Sequence, residues 1–247
     1  MCKDILKEDC KCESKNLTYI NGYSMPSIII VSGSTKSGKT TLVKRLIKNE
    51  IEYNNLIIFC TTLELSEDWD EYEETPEWDK KAGLTTKHPR IIKFSESKEF
   101  ETTIKDIYDK HNKIIKRDGK KSCPHSLILC DDVAGCSVLS DKGFLNKTSI
   151  KMRHYNISCI VITQKISAIP RTLRLNCSYF IFMTCYNLSE LERFVEEFLL
   201  RSQRKHLNKI LTTIFNEKYN YILSDNLSGV WNERLYKNGK ELIEFGL

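Results

Sequence analysis

Eight consecutive residues near the amino-terminal end carry the clearest chemical signal. Gly33 to Thr40 matches the pattern G-x-x-x-x-G-K-[ST]. Glycines allow backbone N–H groups to curl around phosphate groups, and a following helix directs the positive end of its dipole at them. We therefore expect a cradle for ATP, in which Lys39 bridges the β- and γ-phosphates, Thr40 binds Mg²⁺ and Thr41 contacts the α-phosphate. The predicted cradle comprises Gly33, Ser34, Thr35, Lys36, Ser37, Gly38, Lys39, Thr40 and Thr41.

Two carboxylates follow an apolar run further along the chain. Leu127 to Cys130 is apolar and leads directly into Asp131 and Asp132. In open α/β sheets, ligands bind at the carboxyl ends of the strands. We predict that Asp131 holds Mg²⁺ through its water shell and that Asp132 polarises the water that attacks the γ-phosphate. The alternative is a strand-end aspartate that caps a turn.

A glutamine closes another apolar run. Gln164 follows Ile160 to Thr163, and an uncharged amide at that place can sense a γ-phosphate or orient water. Taken alone, it would be ordinary loop polarity. Beside the other two motifs, it is predicted to be catalytic.

Apolar periodicity predicts the elements that position these residues. Ser27–Ser32 is a short β-branched run between Pro26 and Gly33, which is typical of a buried strand, and helical spacing follows from Thr40. A capping box at residues 189–192 predicts the start of a helix that runs to about Leu200. Further strands are predicted at Leu56–Cys60, Arg90–Phe94, Ser126–Cys130, Cys159–Thr163 and Tyr179–Thr184, and further helices at 100–115 and 202–215. This alternation predicts an α/β fold with a mostly parallel sheet that is covered on both faces.

The remaining segments flank or interrupt this core. The whole chain has 247 residues, a length that suits one elaborated domain. We predict an amino-terminal extension at 1–25, an ATPase core at 26–200 and a carboxyl-terminal extension at 201–247. The carboxyl-terminal extension is predicted to contain a hairpin between Tyr219–Leu223 and Val230–Tyr236. An acidic insertion within 64–81 is interpreted as a surface loop. No apolar run approaches the length needed for a membrane span, and charges at residues 3–9 occupy the place of a secretory signal.

Charge is unevenly distributed. Residues 64–79 hold nine of the 33 acids and none of the 38 lysines and arginines, so the rest of the chain carries a net charge of +14. A surplus of that size suits a polyanion, although a merely solvated surface explains it equally well.

The ten cysteines are interpreted mainly as reduced core residues. Cys60, Cys130, Cys159, Cys177 and Cys185 lie in apolar stretches. The close pair Cys10 and Cys12 lacks the spacing and the second pair that a zinc site needs.

These motifs, together with Arg153–Ser158 and Ile169–Asn176, resemble those of the poxvirus-type packaging ATPases of the FtsK/HerA superfamily. The likeness extends from Pro26 to Leu200, and it includes the related ATPases of virophages. Many members of the superfamily carry Glu where Asp132 stands.

The resemblance implies a RecA-like P-loop core of the ASCE class whose subunits form a ring, a pentamer or a hexamer. Such a ring hydrolyses ATP at its interfaces, pulls double-stranded DNA through a channel and docks on capsid proteins. A neighbouring subunit then supplies an arginine to the γ-phosphate, with Arg153 the first candidate and Arg174 the second. The implied location is the viral factory in the host cytoplasm, and the virion.

The segments that follow the strands at 126–130 and 159–163 contain five basic residues. Because these segments follow strand ends, we predict that the five residues contact the DNA backbone without reading its sequence. The five residues are Lys142, Lys147, Lys151, Lys165 and Arg171.

Three other functions share parts of this pattern. A helicase or conjugation-type translocase would use the same active site. A nucleoside or nucleotide kinase would share the phosphate loop but needs an acceptor pocket and a lid. An assembly scaffold would bind ATP with little turnover.

Overall fold

The computed structural model describes residues 23–65, 67–74, 89–199, 204, 206–228 and 234–243. Within these ranges, the strands are β1 Ile28–Ser32, β2 Asn55–Cys60, β3 Arg90–Phe94, β4 Ser126–Asp131, β5 Ile157–Thr163, β6 Tyr179–Met183, β7 Tyr221–Asp225, β8 Leu235–Lys237 and β9 Glu241–Leu242. The α-helices are α1 Lys39–Asn49, α2 Ser97–Asp118, α3 Phe144–Thr148, α4 Arg171–Leu175, α5 Leu188–Phe198 and α6 Leu207–Phe215. The predicted extension at 1–25 and the pair Cys10 and Cys12 lie almost wholly outside these residues.

All described strands join one mixed sheet in the order β3-β2-β4-β5-β1-β6-β7-β8-β9. Strands β1 to β6 are parallel, whereas β7, β8 and β9 add to the β6 edge in antiparallel pairs. The predicted α/β class with a mostly parallel sheet is therefore confirmed. Strands β4, β5 and β1 are neighbours, so the segments after their carboxyl ends lie side by side.

Two apolar layers hold the sheet. Alternate residues of β1 point to opposite faces, so Ile28 and Ile30 belong to one buried cluster while Ile29 and Val31 belong to the other. Helix α1 contributes Val43, Leu46 and Ile47 to the second cluster. Phenylalanines from β6 and α5 stack in the first, with the Phe182 and Phe194 ring centroids 4.3 Å apart. Truncating one such side chain to Ala typically costs about 3–5 kcal/mol.

Helix α5 begins differently from the prediction. Its N-cap is Asn187, whose side-chain oxygen accepts hydrogen bonds from the backbone N–H groups of Ser189 (3.0 Å) and Glu190 (3.4 Å). The predicted capping box at residues 189–192 is wrong, because Ser189 is already inside the first turn. Glu190 turns away and accepts hydrogen bonds from the Ile166 N–H and the Ser167 hydroxyl instead.

The acidic stretch is only partly a surface loop. Trp69 is fully buried in the same cluster as α1, at the end of a 3₁₀ turn over Glu67–Trp69. The interpretation as a surface loop is therefore wrong for Trp69, whose large apolar ring is stabilised by burial, whereas its acidic neighbours at 67, 68, 70 and 71 are exposed. Residues 75–88, which include Trp78, lie outside the described part.

The carboxyl-terminal hairpin forms with shifted boundaries. Tyr221–Asp225 pairs with Leu235–Lys237, with Leu223 opposite Tyr236. Four of the five cysteines interpreted as core residues are buried, but Cys185 is only half-buried because it follows the end of β6. No helix in the described ranges is long and apolar enough to cross a membrane.

Candidate functional site

The glycine loop between β1 and α1 is shaped by two close approaches. A Cβ on Gly33 would lie 2.8 Å from both the Cβ of Met183 and the hydroxyl of Ser37. Gly38 has a φ of 93°, a conformation that side chains with a Cβ rarely adopt, and a Cβ there would lie 2.9 Å from the ring of Tyr219. The glycines of the motif are therefore required by the loop's conformation.

Lys39 lies across this loop. Its ammonium donates to the carbonyl oxygens of Gly33 (3.0 Å) and Ser34 (2.8 Å). Burial lowers the pKa of Lys39, and the carboxylates of Asp131 and Asp132 oppose that shift. The loop thus presents a cation beside two anions, with Ser37 buried and its hydroxyl without a hydrogen-bond partner in the described residues.

Asp131 is the last residue of β4 and is only 8% exposed. The indole N–H of Trp69 donates to its Oδ2 over 3.1 Å. Burial raises the pKa of Asp131 to about 6, and the hydrogen bond from Trp69 opposes this rise. A carboxylate desolvated in this way interacts more strongly with a cation than one in water does.

Asp132, the next residue, has a φ of 51°. The Thr61 hydroxyl donates to its carbonyl oxygen over 2.8 Å. This left-handed conformation is uncommon for a residue other than glycine, and aspartate tolerates it better than most. It turns the chain sharply after β4 and exposes the second carboxylate.

Gln164 lies beside the loop. Its Oε1 accepts a hydrogen bond from the Thr35 hydroxyl over 3.0 Å. The β1–β5 register places Ser32 opposite Thr163, and the Gly33 N–H donates to the Thr163 carbonyl. The sequence could predict this proximity only through the strand order.

One cavity of about 370 Å³ gathers most of the predicted site residues. Its lining includes Thr35, Lys36, Gly38, Lys39, Thr40, Thr41, Asp131, Asp132 and Gln164. Ser34 and Ser37 line an adjoining hollow next to Tyr186 and Tyr219. Loop, carboxylate pair and terminal amide therefore meet as one site.

The donor set suits a hard cation that arrives with a nucleotide. Thr40 and Asp131 line the same cavity and offer oxygen atoms, which Mg²⁺ prefers. The described residues contain no group of three or more His, Cys, Asp or Glu side chains that could hold a metal ion by themselves. Mg²⁺ commonly takes one or two protein oxygens and fills its remaining positions with water and phosphate oxygens, so these residues fit it.

Comparison with protein families identifies a match over residues 16–234, which is most of the chain, to the family described as "Poxvirus A32 protein". The chain belongs to the poxvirus A32 protein family. This confirms the family-level resemblance found in the sequence. Comparison with curated proteins gives no match.

Solved structures similar to this A32 family member include viral packaging enzymes. The DNA-packaging ATPase of Sulfolobus Turreted Icosahedral Virus is 13% identical with a TM-score of 0.59, over 85% of this chain and 96% of that one. The genome packaging NTPase of Sulfolobus turreted icosahedral virus 2, in complex with ATP-gammaS, is 15% identical with the same TM-score and coverage. The conjugation coupling protein TcpA of pCW3 is 12% identical with a TM-score of 0.52, over 87% of this chain and 60% of that one. These likenesses show that the fold is shared.

Neither arginine lines the cavity of this family member. Arg153 is exposed in the turn Met152–Tyr155 before β5, whereas Gln164 follows the other end of that strand, roughly 20 Å away at about 3.3 Å per residue. The side chain of Arg174 is nearly buried and forms a bidentate ion pair with Glu197. Its Nε is 2.7 Å from Oε2 of Glu197, and its Nη2 is 3.0 Å from Oε1. The finger role stays a prediction for both, and Arg153 has the more accessible side chain.

Three contributors to the site were missed or misread in the sequence. Trp69 donates to the Asp131 carboxylate, Thr61 donates to the backbone carbonyl of Asp132, and Asp68 lines the cavity. The only signal in the sequence was an aromatic residue, Trp69, within an acidic run. That pattern does not reveal that its buried partner is Asp131. The five basic residues proposed for DNA are all exposed.

Proposed function

We propose that this chain hydrolyses ATP with Mg²⁺ and uses the energy to drive double-stranded DNA into a viral capsid. The observation that carries this proposal is the meeting of Lys39, Thr40, Asp131, Asp132 and Gln164 at one cavity in a chain of the A32 family. A solved relative in fold is named as a DNA-packaging ATPase, which supports the same assignment.

Each residue has a distinct part in this proposal. The loop amides and the Lys39 ammonium bind the phosphates, and Thr40 with Asp131 would hold Mg²⁺, which neutralises charge on the phosphate oxygens. Asp132 polarises the attacking water, and Gln164 orients it or senses the γ-phosphate. Arg153 of a neighbouring subunit neutralises charge that develops on the transferred phosphoryl group.

The partners follow from the same proposal. A ring of five or six subunits places Arg153 of one subunit near the cavity of the next. The exposed bases Lys142, Lys147, Lys151, Lys165 and Arg171 contact the DNA backbone without reading sequence. Capsid proteins anchor the ring, and the work takes place in the viral factory of the host cytoplasm.

Phosphate release in the presence of duplex DNA tests the proposal. We expect stimulation that does not depend on DNA sequence and that falls steeply with salt, because binding releases counterions. Lys39→Ala should abolish turnover, whereas Lys48→Ala, on the exposed end of α1, should keep it. Full turnover in Lys39→Ala, or no DNA response at any salt concentration, would contradict it. Transfer of phosphate to a nucleoside rather than to water would indicate a kinase instead.

A further inference from the structure

The segment after β2, residues 61–72 (the bridging segment), crosses from the carboxylate pair to the helix that follows the phosphate loop. Residue 66 lies outside the described part of this segment. Trp69 is fully buried in one cluster with Val43 of α1 and Leu129 of β4. The segment is therefore packed between two elements that carry catalytic side chains.

The first contact of the bridging segment with the carboxylate pair is the hydrogen bond from Trp69 to Asp131. Both groups are buried, and the 3.1 Å separation between Nε1 and Oδ2 is that of an ordinary hydrogen bond. An indole N–H can only donate, and its ring has few orientations once it is packed. Trp69 therefore fixes the rotation of the carboxylate on which the proposed Mg²⁺ site depends.

Its second contact is with Asp132. The Thr61 hydroxyl donates to the Asp132 carbonyl at the residue with a φ of 51°. That conformation is sparsely populated and needs support from its surroundings. The hydroxyl holds the turn that presents the second carboxylate.

Helix α1 in turn holds the bridging segment. The Lys44 ammonium is 3.0 Å from a Glu71 carboxylate oxygen and 5.5 Å from the centre of the Trp69 ring. The Tyr72 ring packs against Trp69, with centroids 5.8 Å apart. Since α1 begins at Lys39, the segment links the phosphate loop to the carboxylates through side-chain contacts.

We propose that the bridging segment is a positioning element, in which Trp69 orients Asp131 for the metal and Thr61 orients Asp132 for the water. This rests on the proposed function and gives a role to the start of the acidic insertion. Trp69 and Thr61 are positioning residues, since each acts through an aspartate.

Trp69→Phe tests the first contact, because it keeps an aromatic ring and removes the N–H. The affinity for a non-hydrolysable ATP analogue is measured by calorimetry, once with Mg²⁺ and once with EDTA. Removing a partner of a metal ligand typically costs 10- to 100-fold in metal affinity or activity. We expect the gain in affinity that Mg²⁺ provides to fall about tenfold, with the affinity in EDTA unchanged. Tyr155→Phe, in the turn before β5 and outside the bridging segment, is the control and should keep the full gain.

Thr61→Val tests the second contact. The substitution is isosteric and the side chain is exposed, so this variant tests the positioning role even if Trp69→Phe fails to fold. We expect turnover to fall severalfold while the affinity for the analogue with Mg²⁺ stays constant. Thr61→Ser, which retains the hydroxyl, should restore turnover.

The outcomes separate the two proposals. If the unsubstituted chain binds no nucleotide, the proposed function fails. If it binds and turns over ATP, but folded Trp69→Phe keeps the full Mg²⁺ gain or Thr61→Val keeps full turnover, the positioning role is overturned and the ATPase assignment stands.

Discussion

Asp132 shows how much of the proposed chemistry depends on single side chains. It lines the cavity with Lys39 and Gln164, and its backbone is turned by the left-handed conformation after β4. An aspartate side chain is short, so the distance from its carboxylate to the attacking water determines whether Asp132 can polarise that water. Its neighbour Asp131 is buried and held by Trp69, which suits a fixed ligand rather than a mobile base.

Substitution at Asp132 should therefore lower turnover and leave binding intact. We expect Asp132→Asn to reduce kcat by about 10² or more, because a positioned general base contributes on that order. Asp132→Glu should retain far more activity, since it keeps the carboxylate. Steady-state kinetics and analogue affinity measure the two effects, and Asp141→Asn, an exposed aspartate in the same connection, is the control. Full turnover by the Asp132→Asn variant would remove this carboxylate from the mechanism.

Among the elements, two histidines form hydrogen bonds near the first residues of β4 and β5. His111 of α2 donates from Nδ1 to the Tyr155 carbonyl over 2.6 Å, and its Nε2 is 3.1 Å from the Ser126 hydroxyl. The ring nitrogens of His125 contact the Glu52 carbonyl and the Ser158 hydroxyl. Burial lowers the pKa of both histidines.

This arrangement makes stability depend on pH in a defined direction. A histidine whose pKa is lower in the folded chain stabilises the fold above its unfolded pKa of about 6.5, and that stability is lost as the pH falls below it. We expect the contribution of each histidine to the free energy of unfolding to fall from pH 7 to pH 5, by at most about 1.4 kcal/mol per pH unit, whereas the raised pKa of Asp131 contributes with the opposite sign. Urea unfolding at a series of pH values measures it. His111→Asn should reduce the slope, and exposed His154→Asn should not; equal slopes would contradict the account.

Most elements were predictable from the sequence, because buried parallel strands are short apolar runs. The strand Arg90–Phe94 was predicted with its observed bounds, and the prediction for β1 differs by one residue. Periodicity could not reveal hydrogen bonds between residues that are far apart in the sequence. The cap of α5 went to Asn187 because its amide reaches the N–H groups of residues 189 and 190, and Glu190 was drawn to Ile166, 24 positions away in sequence. Trp69 was misread for the same reason, since its partner Asp131 is 62 positions away.

On the scale of the whole molecule, the basic residues considered for DNA lie in the same connections after β4 and β5 that contribute to the cavity. The catalytic cavity lies beyond the carboxyl ends of β1, β4 and β5, and the basic residues considered for DNA are exposed in the connections around β5. Nine of the 33 acids cluster instead in the insertion after β2.

Removing three bases should weaken DNA binding uniformly across sequences. We expect Lys142→Ala, Lys147→Ala and Arg171→Ala together to reduce the slope of log affinity against log salt by up to about 2.7, at about 0.9 for each phosphate that is no longer neutralised. Turnover without DNA should be unchanged. Fluorescence anisotropy with duplex DNA measures the slope, and Lys98→Ala, Lys110→Ala and Lys113→Ala on α2 form the control. An unchanged slope in the first set would show that DNA binds elsewhere.

Movement along duplex DNA tests whether the chain uses ATP to act as a DNA translocase. A third strand annealed to the duplex is displaced when a translocase passes, and its release is followed by fluorescence. We expect displacement with ATP and Mg²⁺, and none with a non-hydrolysable analogue or with the Lys39→Ala chain. Hydrolysis of ATP without displacement, or equal displacement without ATP, would contradict it.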